Sequence, residues 1–579
     1  MPSLQLPGEP ASLFRITHQV LTVAHGIHSI ARGLFAAFAV WLSMKASCPA
    51  ADDPIFDVDA LSSTPLKSQT LRRDERDGIV TEEVRFHSET DGDKDVEIFA
   101  YFSYPQGAQQ LPAFIWNPGG LGQAARGYTE TPARRGYAVL CIDFPQPGYR
   151  STGNYPINTG LELGDDPKAA PIYHGAVALL KAVSYLQSRP EVDRDRIGMA
   201  GASWGGFFTT LMVGIDPRLK VGSCLYGTGS LQLGNAWWDG ISQNGRPLPT
   251  PGQRERWRVT LDPAWRLAAR TTPMAWFTTT NDAFYSMPAM MQTRSLCSGP
   301  THLSLLPNWD HAMPSSFHNQ HVYDWLDVHL RNQPAFTKVS PVTVRNEAGV
   351  LVATWDFDGD ATSADMIASY GETGNWRGRY WHTLPAEING RKCRATLPAG
   401  SLPCYISGAV ISPRGGRSST SLQRIEADRL GIHATVPGPD YDGCREWGGL
   451  EDNHMAFLAQ HNACGQIRWL PQLSTDAQSG QHAAILNTDR TVLPPILSTA
   501  GWPHRFSCFL KADRPTKVTV QLGQEAKEFP VGTDWTEATM DVTPANSVMG
   551  GFASSIMIPS GTKVLVDTFS FRPLFSPAK

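Results

Sequence analysis

Residues 196–213 read RIGMAGASWGGFFTTLMV, and they combine a short strand, a glycine-rich turn and an apolar helix. The strand signal covers residues 196–200, and the helix signal covers residues 206–213. The turn between them matches the pattern G-x-S-x-G and centres on Ser203. The match alone is weak evidence, because Gly and Ser are common in the chain. Its position between a strand and a helix is nevertheless the setting in which a serine nucleophile is exposed at the end of a sheet.

A nucleophilic serine requires a base and an acid that orients the base, and in this setting they follow in the order Ser, Asp or Glu, His. Asp282 follows the strand signal at residues 274–278 and is the predicted acid. His311 follows the strand signal at residues 303–306 and is the predicted base. Asp310 is an alternative acid, but it adjoins the histidine and is expected to point elsewhere. The sequence therefore predicts a Ser203–His311–Asp282 triad.

Acyl transfer also requires two backbone N–H groups that face the oxyanion. One is expected from Trp204, the residue after the nucleophile. The other is expected from the glycine-rich loop at residues 117–122, which follows the strand signal at 112–116. Gly120 and Leu121 are both candidates for this second donor, and the sequence does not decide between them.

The predicted fold follows from the order of these signals. From residue 95 to residue 332 strand and helix signals alternate, which predicts a mostly parallel sheet flanked by helices. From residue 340 to residue 575 short alternating strands replace the helices, which predicts two all-β sandwiches. The predicted domains are a catalytic unit at 52–335 and sandwiches at 338–424 and 430–579.

The first of these units resembles the α/β-hydrolase superfamily. It looks most like the branch of acetyl xylan esterases, dienelactone hydrolases and prolyl oligopeptidases. The similarity rests on four pieces, which are NPGG at 117–120, DFPQPGYRS at 143–151, GASWGG at 201–206, and the ND at 281–282 with the DH at 310–311. The resemblance implies hydrolysis of esters or peptides through an acyl-enzyme. Two departures are Asn117-Pro118 where His-Gly is usual, and Tyr149-Arg150 within the second piece.

The C-terminal half carries two further likenesses. Residues 375–381, 391–397 and 415–419 are similar to fibronectin-type-III-like modules. Residues 505–571 look like the jelly roll of a carbohydrate-binding module. The second likeness implies a possible glycan site and a possible structural calcium ion near Asp567. The pairs Cys393/Cys404 and Cys444/Cys464 are candidate disulfides, although spacing alone does not give their connectivity.

The first 51 residues are typical of a targeting segment. A short apolar run at 33–43 follows basic residues, and small residues and Asp52-Asp53 come after it. This pattern predicts a signal peptide and a secreted or periplasmic protein. An uncleaved anchor or a disordered tail is the alternative interpretation.

Composition narrows the classes of function. The chain has 579 residues, 41% of them hydrophobic and 18% charged, which is typical of a globular protein of about three or four domains. Its formal net charge is −4 and it has no basic run, so neither a nucleic-acid partner nor a stable membrane partner is expected. A serine triad needs no metal and no cofactor, and none is expected for the chemistry.

The segment at 230–272 lies between two sheet strands, where this fold inserts cap elements. Its Trp237 and Trp238 are the predicted substrate contacts, because aromatic rings suit the faces of sugars. The predicted function is a secreted serine esterase acting on a small ester or an acylated glycan, such as an acetylated carbohydrate. The alternatives are a serine peptidase or acyl-peptide hydrolase without its propeller, and a binding protein with a relic triad.

Overall fold

The computed structural model describes most of the chain after the predicted targeting segment. Residues 1–52 lie outside the described residues, as do Cys444 and Cys464. The described residues are 53–120, 122–156, 164–235, 237–238, 249–282, 284–307, 309, 311, 315–371, 376, 381–435, 460–461, 467–469, 472–478, 482–486, 489–496, 503–543 and 552–573.

The first sheet holds nine strands among the described residues and is mixed in direction. Its strands are β1 (Gln69–Arg76), β2 (Ile79–Asp91), β3 (Lys94–Pro105), β4 (Leu111–Asn117), β5 (Ala138–Ile142), β6 (Val192–Ala202), β7 (Val221–Leu225), β8 (Met274–Thr279) and β9 (Thr301–Leu306). The order across the sheet is β1-β2-β3-β5-β4-β6-β7-β8-β9. The first three strands and β5 pair antiparallel, and every pair from β5 to β9 is parallel. The predicted, mostly parallel sheet is therefore present, with an antiparallel ribbon added at one edge.

Helices connect and cover this sheet. They are α1 (Val58–Ser63), α2 (Arg126–Ala133), α3 (Pro171–Ser188), α4 (Trp204–Ile215), α5 (Pro251–Thr260), α6 (Met287–Leu296) and α7 (Ser315–Leu330). Short 3₁₀ helices lie at Pro167–Ala169, Leu231–Leu233, Ala264–Ala269 and Asp428–Leu430. Every residue of α4 is buried, as expected of a helix that is apolar on all sides. That burial fixes the start of α4, and Ser203 directly before it, against the sheet.

Antiparallel strands follow the α/β unit. Those of the second sheet are β10 (Lys338–Val339), β11 (Thr343–Glu347), β12 (Val350–Asp358), β13 (Ser363–Tyr370), β14 (His382–Asn389), β15 (Lys392–Leu397), β16 (Cys404–Ile411), β17 (Arg417–Ser419) and β18 (Gln423–Ile425). Cys393 on β15 is a buried free thiol, so its predicted disulfide with Cys404 is wrong. Burial, reinforced by the Asp356 carboxylate, raises the pKa of this thiol to about 11.

The second sheet covers the outer edge of β9. The Leu305 N–H donates to Ser419 Oγ at 3.1 Å, and Arg417 Nε donates to the Leu305 carbonyl at 2.9 Å. Asp365 holds the Arg417 guanidinium with two hydrogen bonds of 2.6 Å. An edge strand with unpaired backbone groups is a site for unwanted pairing, and these contacts occupy it. They also hold β9 in position, and β9 is the strand that precedes His311.

His302 on β9 provides a pH test of this junction. Its ring is buried between Trp325 and Phe336, at centroid distances of 5.7 and 4.5 Å. Burial, with a smaller contribution from the nearby charge of Arg294, lowers the pKa of His302 to about 3. Because this value lies below the usual one, the unfolded chain binds the extra proton first, and stability is lost as the pH falls below about 6.5.

We therefore expect His302→Gln to reduce the acid sensitivity of the α/β unit. Between pH 6 and pH 4 the wild type should lose about 1.4 kcal/mol of unfolding free energy per pH unit more than the variant. Urea unfolding of both proteins across this range measures the difference. Parallel pH profiles for the two proteins would contradict the assignment.

The remaining strands form two larger sheets and one pair. They are β19 (Gln460–His461), β20 (Ile467–Trp469), β21 (Gln472–Ser474), β22 (Ala483–Leu486), β23 (Arg490–Ile496), β24 (His504–Ala512), β25 (Thr516–Leu522), β26 (Glu525–Val531), β27 (Thr536–Val542), β28 (Phe552–Met557) and β29 (Val564–Pro573). Strands β21-β22-β29-β24-β27 form one sheet, and β23-β28-β25-β26 form the other. Side chains from both sheets, such as Phe506 on β24 and Val518 on β25, share one hydrophobic cluster. The structure thus has several antiparallel sheets after the α/β unit, as predicted, while the exact domain boundaries stay predictions.

No helix among the described residues combines the length and apolar character needed to cross a bilayer.

Candidate active site

Ser203 lies in a sharp turn between β6 and α4. Its backbone has φ 58° and ψ −121°, a conformation that non-glycine residues rarely adopt. The turn is possible because glycines lie where side chains do not fit. A Cβ added to Gly201 would lie 2.8 Å from Asn117 Cβ, and one added to Gly206 would lie 2.7 Å from Cys224 Sγ. The G-x-S-x-G-G pattern is therefore a packing requirement of this turn.

The structure brings the three predicted residues together. His311 Nε2 lies 2.8 Å from Ser203 Oγ, and His311 Nδ1 lies 2.8 Å from Asp282 Oδ2. A carboxylate accepts hydrogen bonds, so Nδ1–H donates to Asp282, and Nε2 is left to accept from the serine hydroxyl. His311 is 7% exposed and Asp282 is 2% exposed, which removes most competing water. The alternative acid, Asp310, lies outside the described residues.

The backbone fixes the Asp282 carboxylate in place. Its second oxygen, Oδ1, accepts from the N–H groups of Phe284 at 2.7 Å and Tyr285 at 3.0 Å. The turn after β8 therefore folds back on the carboxylate. One oxygen is held by the turn and the other is left to orient the imidazole.

Trp204 and the loop after β4, the two predicted sources of oxyanion donors, both lie beside Ser203. Trp204 is the first residue of α4, so its N–H has no acceptor within the helix, and the helix dipole favours negative charge there. The loop after β4 passes beside the nucleophile, since a Cβ added to Gly119 would lie 3.6 Å from Ser203 Cβ. The Gly120 carbonyl faces Gln146, whose Nε2 lies 3.5 Å away. Leu121 lies outside the described residues, so the choice between Gly120 and Leu121 stays open.

A salt bridge that the sequence analysis missed anchors the end of this loop. Asp143 is fully buried, and its two carboxylate oxygens each accept from the Arg150 guanidinium at 2.8 Å. The same groups hold Ala124, whose N–H donates to Asp143 at 2.6 Å and whose carbonyl accepts from Arg150 at 2.5 Å. Arg150, one of the two residues noted above in the 143–151 piece, thus holds the segment around Ala124 to Asp143. The presence of an Asp and an Arg in the same loop was the sequence signal that could have indicated this salt bridge.

We expect Arg150→Met to destabilise the α/β unit by about 3 kcal/mol, because it leaves the Asp143 charge buried without its partner. The activity should also fall, since the loop beside Ser203 loses an anchor. The double variant Asp143→Asn/Arg150→Met removes the stranded charge and should recover part of the lost stability. Thermal unfolding of the three proteins measures both effects. A double variant that is less stable than Arg150→Met would contradict this interpretation.

Aromatic rings surround the imidazole. The ring centroid of His311 lies 4.7 Å from that of Tyr226, 4.8 Å from that of Phe284 and 5.8 Å from that of Tyr285. Sequence reasoning missed all three. The only sequence signal for these rings was their position, since Tyr226 directly follows β7, and Phe284 and Tyr285 come shortly after Asp282.

Of the two predicted substrate contacts, the structure brings only Trp237 to these rings. Trp237 is half-buried, and its ring lies 4.9 Å from that of Trp204 and 5.2 Å from that of Phe284. Trp238 is 2% exposed and packs against Trp257 at 6.2 Å. The prediction of a substrate contact at Trp238 is therefore wrong, because its ring belongs to the core beneath the cap segment.

The position predicted for a calcium ion is occupied by backbone contacts. Asp567 is fully buried, and its carboxylate accepts from the N–H of Gln478 at 2.8 Å and from the N–H of Thr568 at 2.7 Å. Within the described part of the chain, no three His, Cys, Asp or Glu side chains converge as a metal site would require. The calcium ion stays a prediction.

Comparison with known proteins found a curated relative and several solved structures that are similar to parts of the chain. No model of a protein family matches the sequence. The chain is 30% identical over 175 residues to the putative hydrolase YtaP of Bacillus subtilis, which is 27% of this chain and 56% of that protein. The chain thus spans 56% of the length of the curated relative that it matches.

The structural neighbours include acetyl xylan esterases and a dienelactone hydrolase. The acetyl xylan esterase from Paenibacillus sp. R4 has a TM-score of 0.41 and 20% identity, covering 50% of this chain and 98% of that one. Acetyl xylan esterase 1 from Thermoanaerobacterium sp. has a TM-score of 0.40 and 16% identity, and the match covers 50% of this chain and 98% of that one. A putative dienelactone hydrolase from Klebsiella pneumoniae has a TM-score of 0.31 and 17% identity, and the match covers 44% of this chain and 99% of that one.

Proposed function

We propose that this protein is a serine esterase with the α/β-hydrolase fold, which hydrolyses carboxylic esters through an acyl-enzyme. The observation that carries the proposal is the pair of 2.8 Å hydrogen bonds connecting Ser203, His311 and Asp282. The strained backbone of Ser203 at a strand-to-helix turn supports the same role. The similarity to a putative hydrolase supports hydrolysis as the class of reaction.

The reaction follows from this arrangement. Ser203 Oγ attacks the ester carbonyl while His311 Nε2 accepts its proton, and Asp282 stabilises the resulting imidazolium. The N–H of Trp204 and an N–H of the loop after β4 hold the oxyanion. When the C–O bond breaks, His311 returns the proton to the leaving alcohol. Water then repeats both steps on the acyl-enzyme and releases the acid.

The substrate we propose is an ester of a short acyl group, such as an acetylated carbohydrate. The rings of Trp204 and Trp237 stand 4.9 Å apart beside the nucleophile, which favours a small acyl group. The half-buried ring of Trp237 also offers an apolar face of the kind that packs on sugars.

The remaining finer predictions belong to the same proposal. Residues 1–51 would export the chain, so that the mature enzyme is secreted or periplasmic. Residues 52–335 would form the catalytic domain. Residues 338–424 and 430–579 would form two sandwiches, the second of which is a candidate for glycan binding.

The test compares leaving groups and acyl groups on the full chain. We expect fast hydrolysis of nitrophenyl acetate, slower hydrolysis of long-chain nitrophenyl esters, and acetate release from acetylated xylo-oligosaccharides. An aminoacyl-nitroanilide should remain intact. Cleavage of the anilide without cleavage of the esters would instead establish a peptidase, and turnover of nitrophenyl acetate without release from the oligosaccharide would restrict the proposal to simple esters.

A further inference from the structure

Tyr226 is a close neighbour of both the nucleophile and the base. Its ring centroid lies 4.7 Å from that of His311, and the two ring planes are inclined at 72°. The carbonyl of Leu225, the residue before it, accepts a hydrogen bond from the Ser203 N–H at 3.0 Å. On the other side, the Tyr226 N–H donates to the Phe277 carbonyl at 2.8 Å. These two backbone contacts fix Tyr226 beside Ser203, with its ring against His311.

Two further features distinguish Tyr226 from the other rings of the site. Its backbone has φ 32°, in the left-handed region that bulky residues rarely adopt, and such strain is concentrated at functional sites. Among the described residues, three rings contact His311, and Tyr226 is the one that solvent reaches. It is half-buried, whereas Phe284 is 4% exposed and Tyr285 is 0% exposed. A bound substrate can therefore touch Tyr226 without any rearrangement of the site.

Tyr226 lies toward the opposite face of the sheet from Trp204 and Trp237. On β8, the adjacent residues Trp276 and Phe277 pack into two different hydrophobic clusters. The cluster of Trp276 includes Trp204 and has Trp237 packed against it. The cluster of Phe277 has Tyr226 packed against it. Because successive side chains of a strand point to opposite faces of a sheet, the two tryptophans and the tyrosine lie on different sides of the nucleophile.

This division separates the two parts of an ester. In the tetrahedral intermediate, the reacting carbon carries an acyl chain and a leaving oxygen besides the serine oxygen and the oxyanion. The leaving oxygen must lie within hydrogen-bonding reach of His311, which returns the proton to it. The pair Trp204 and Trp237 favours a small acyl group on its own side. The alcohol attached to the leaving oxygen then extends along the imidazole toward Tyr226.

The Tyr226 hydroxyl can act as a neutral hydrogen-bond donor to that alcohol. Burial raises its pKa to about 12, with smaller contributions from the Asp282 carboxylate and the Tyr128 phenol, so it is protonated at neutral pH. Among the described residues, no group forms a hydrogen bond with this hydroxyl. Tyr128, which is 41% exposed and stacks on Trp116 at 5.8 Å, extends the same aromatic surface toward solvent.

We propose that Tyr226 is a specificity-determining residue for the leaving alcohol, and that its hydroxyl donates a hydrogen bond to an oxygen atom of this alcohol. The inference rests on the proposed esterase function and refines it. The substrate class that it assigns is an ester of an alcohol that carries a second oxygen close to the ester oxygen, as in a vicinal diol or its ether. An alcohol with a methylene in place of that oxygen cannot pair with the hydroxyl and is disfavoured for that reason.

The test uses two isosteric esters, methoxyethyl acetate and butyl acetate, whose alcohols differ by one oxygen in place of a methylene. Both esters give the same acetyl-enzyme, so a difference in kcat/KM arises before the alcohol has left. The ratio of the two kcat/KM values is divided by the ratio of the rates with hydroxide, which corrects for intrinsic reactivity. We expect a corrected preference for the methoxyethyl ester on the order of tenfold in the wild type, and a ratio near unity in Tyr226→Phe.

Tyr323→Phe is the matched control. It removes another largely buried phenol on the same face of the sheet, whose ring lies 6.1 Å from that of Phe114 and 6.4 Å from that of Trp116. This variant should retain the corrected ratio of the wild type.

Each outcome bears on the inference. An unchanged corrected ratio in Tyr226→Phe would overturn it, and so would an equal loss of activity on both esters, which would indicate a structural role. Turnover of nitrophenyl acetate without turnover of either alkyl ester would overturn it as well. In all three cases the esterase proposal stands, provided that Ser203→Ala abolishes the turnover of nitrophenyl acetate. If the wild type hydrolyses none of the three esters, both proposals fall together.

Discussion

Ser203→Ala is expected to lower kcat for nitrophenyl acetate by about a millionfold, to the level that binding and the oxyanion donors alone sustain. The serine oxygen is the only atom of this array placed to form the acyl-enzyme, because His311 Nε2 lies 2.8 Å from it and is oriented by Asp282. The substitution removes one oxygen from a half-buried side chain, so thermal unfolding should not change. Steady-state kinetics on purified protein measure the effect.

Two further variants make the result specific to the triad. Asp282→Asn keeps the shape of the side chain but favours the wrong imidazole tautomer, and it should cost about 10⁴-fold in kcat. Ser188→Ala removes a serine whose hydroxyl donates to the Tyr185 carbonyl at 2.7 Å at the end of α3, and it should leave kcat unchanged. Activity that survives in Ser203→Ala would show that another residue is the nucleophile.

The convergence of Ser203, Asp282 and His311 was predictable because each of them lies in the turn that follows a strand of the sheet. The strands before Ser203, Asp282 and His311 are parallel and are buried toward their carboxyl ends, so these ends meet at one edge of the sheet. The order of the residues along the chain then sufficed to assign their roles. The strand before Ser203 was predicted too short, since its first half contains the charged residues 193–196 and shows no apolar pattern.

Features that depend on how loops fold back were not predictable. Almost every residue of β1 is exposed, so it lacks the alternation that identifies a strand. The contacts of Phe284 and Tyr285 with His311 depend on the turn after β8, which closes on the Asp282 carboxylate. A sequence shows which residues follow a strand, but it does not show which of their side chains turn inward.

The adjacent pair Trp237 and Trp238 illustrates the same limit. Asn235 Oδ1 accepts from both of their N–H groups, at 3.0 and 2.9 Å, and so fixes a tight turn. The turn separates the two rings, one toward Trp204 and the other toward Trp257. Composition suggested two substrate contacts, and the local backbone leaves only Trp237 as a candidate.

Gly205→Ala is expected to prevent the active site from forming. An added Cβ would overlap the Asn117 carbonyl oxygen and would lie 2.8 Å from the Pro118 carbonyl oxygen, and both belong to the backbone of the glycine-rich loop at 117–122. Neither atom can yield without displacing β4 or α4. The cost should reach about 4–5 kcal/mol or more, which is large for one methyl group. Where folded protein is recovered, hydrolysis of nitrophenyl acetate should be sharply slower than in the wild type, because the loop beside Ser203 has moved.

A matched substitution separates this steric effect from the general consequences of replacing glycine. Gly127 lies near the start of α2, and an added Cβ there would meet nothing within 4 Å. Gly127→Ala should therefore stabilise the protein by about 0.5–1 kcal/mol, as is usual for glycine to alanine within a helix. The thermal unfolding temperature should fall in Gly205→Ala and rise in Gly127→Ala. Turnover of nitrophenyl acetate should fall in Gly205→Ala and should remain unchanged in Gly127→Ala. Normal stability and activity in Gly205→Ala would contradict this interpretation. The site would then not require the close approach of α4 to the glycine-rich loop at 117–122, and packing would not explain the glycine pattern.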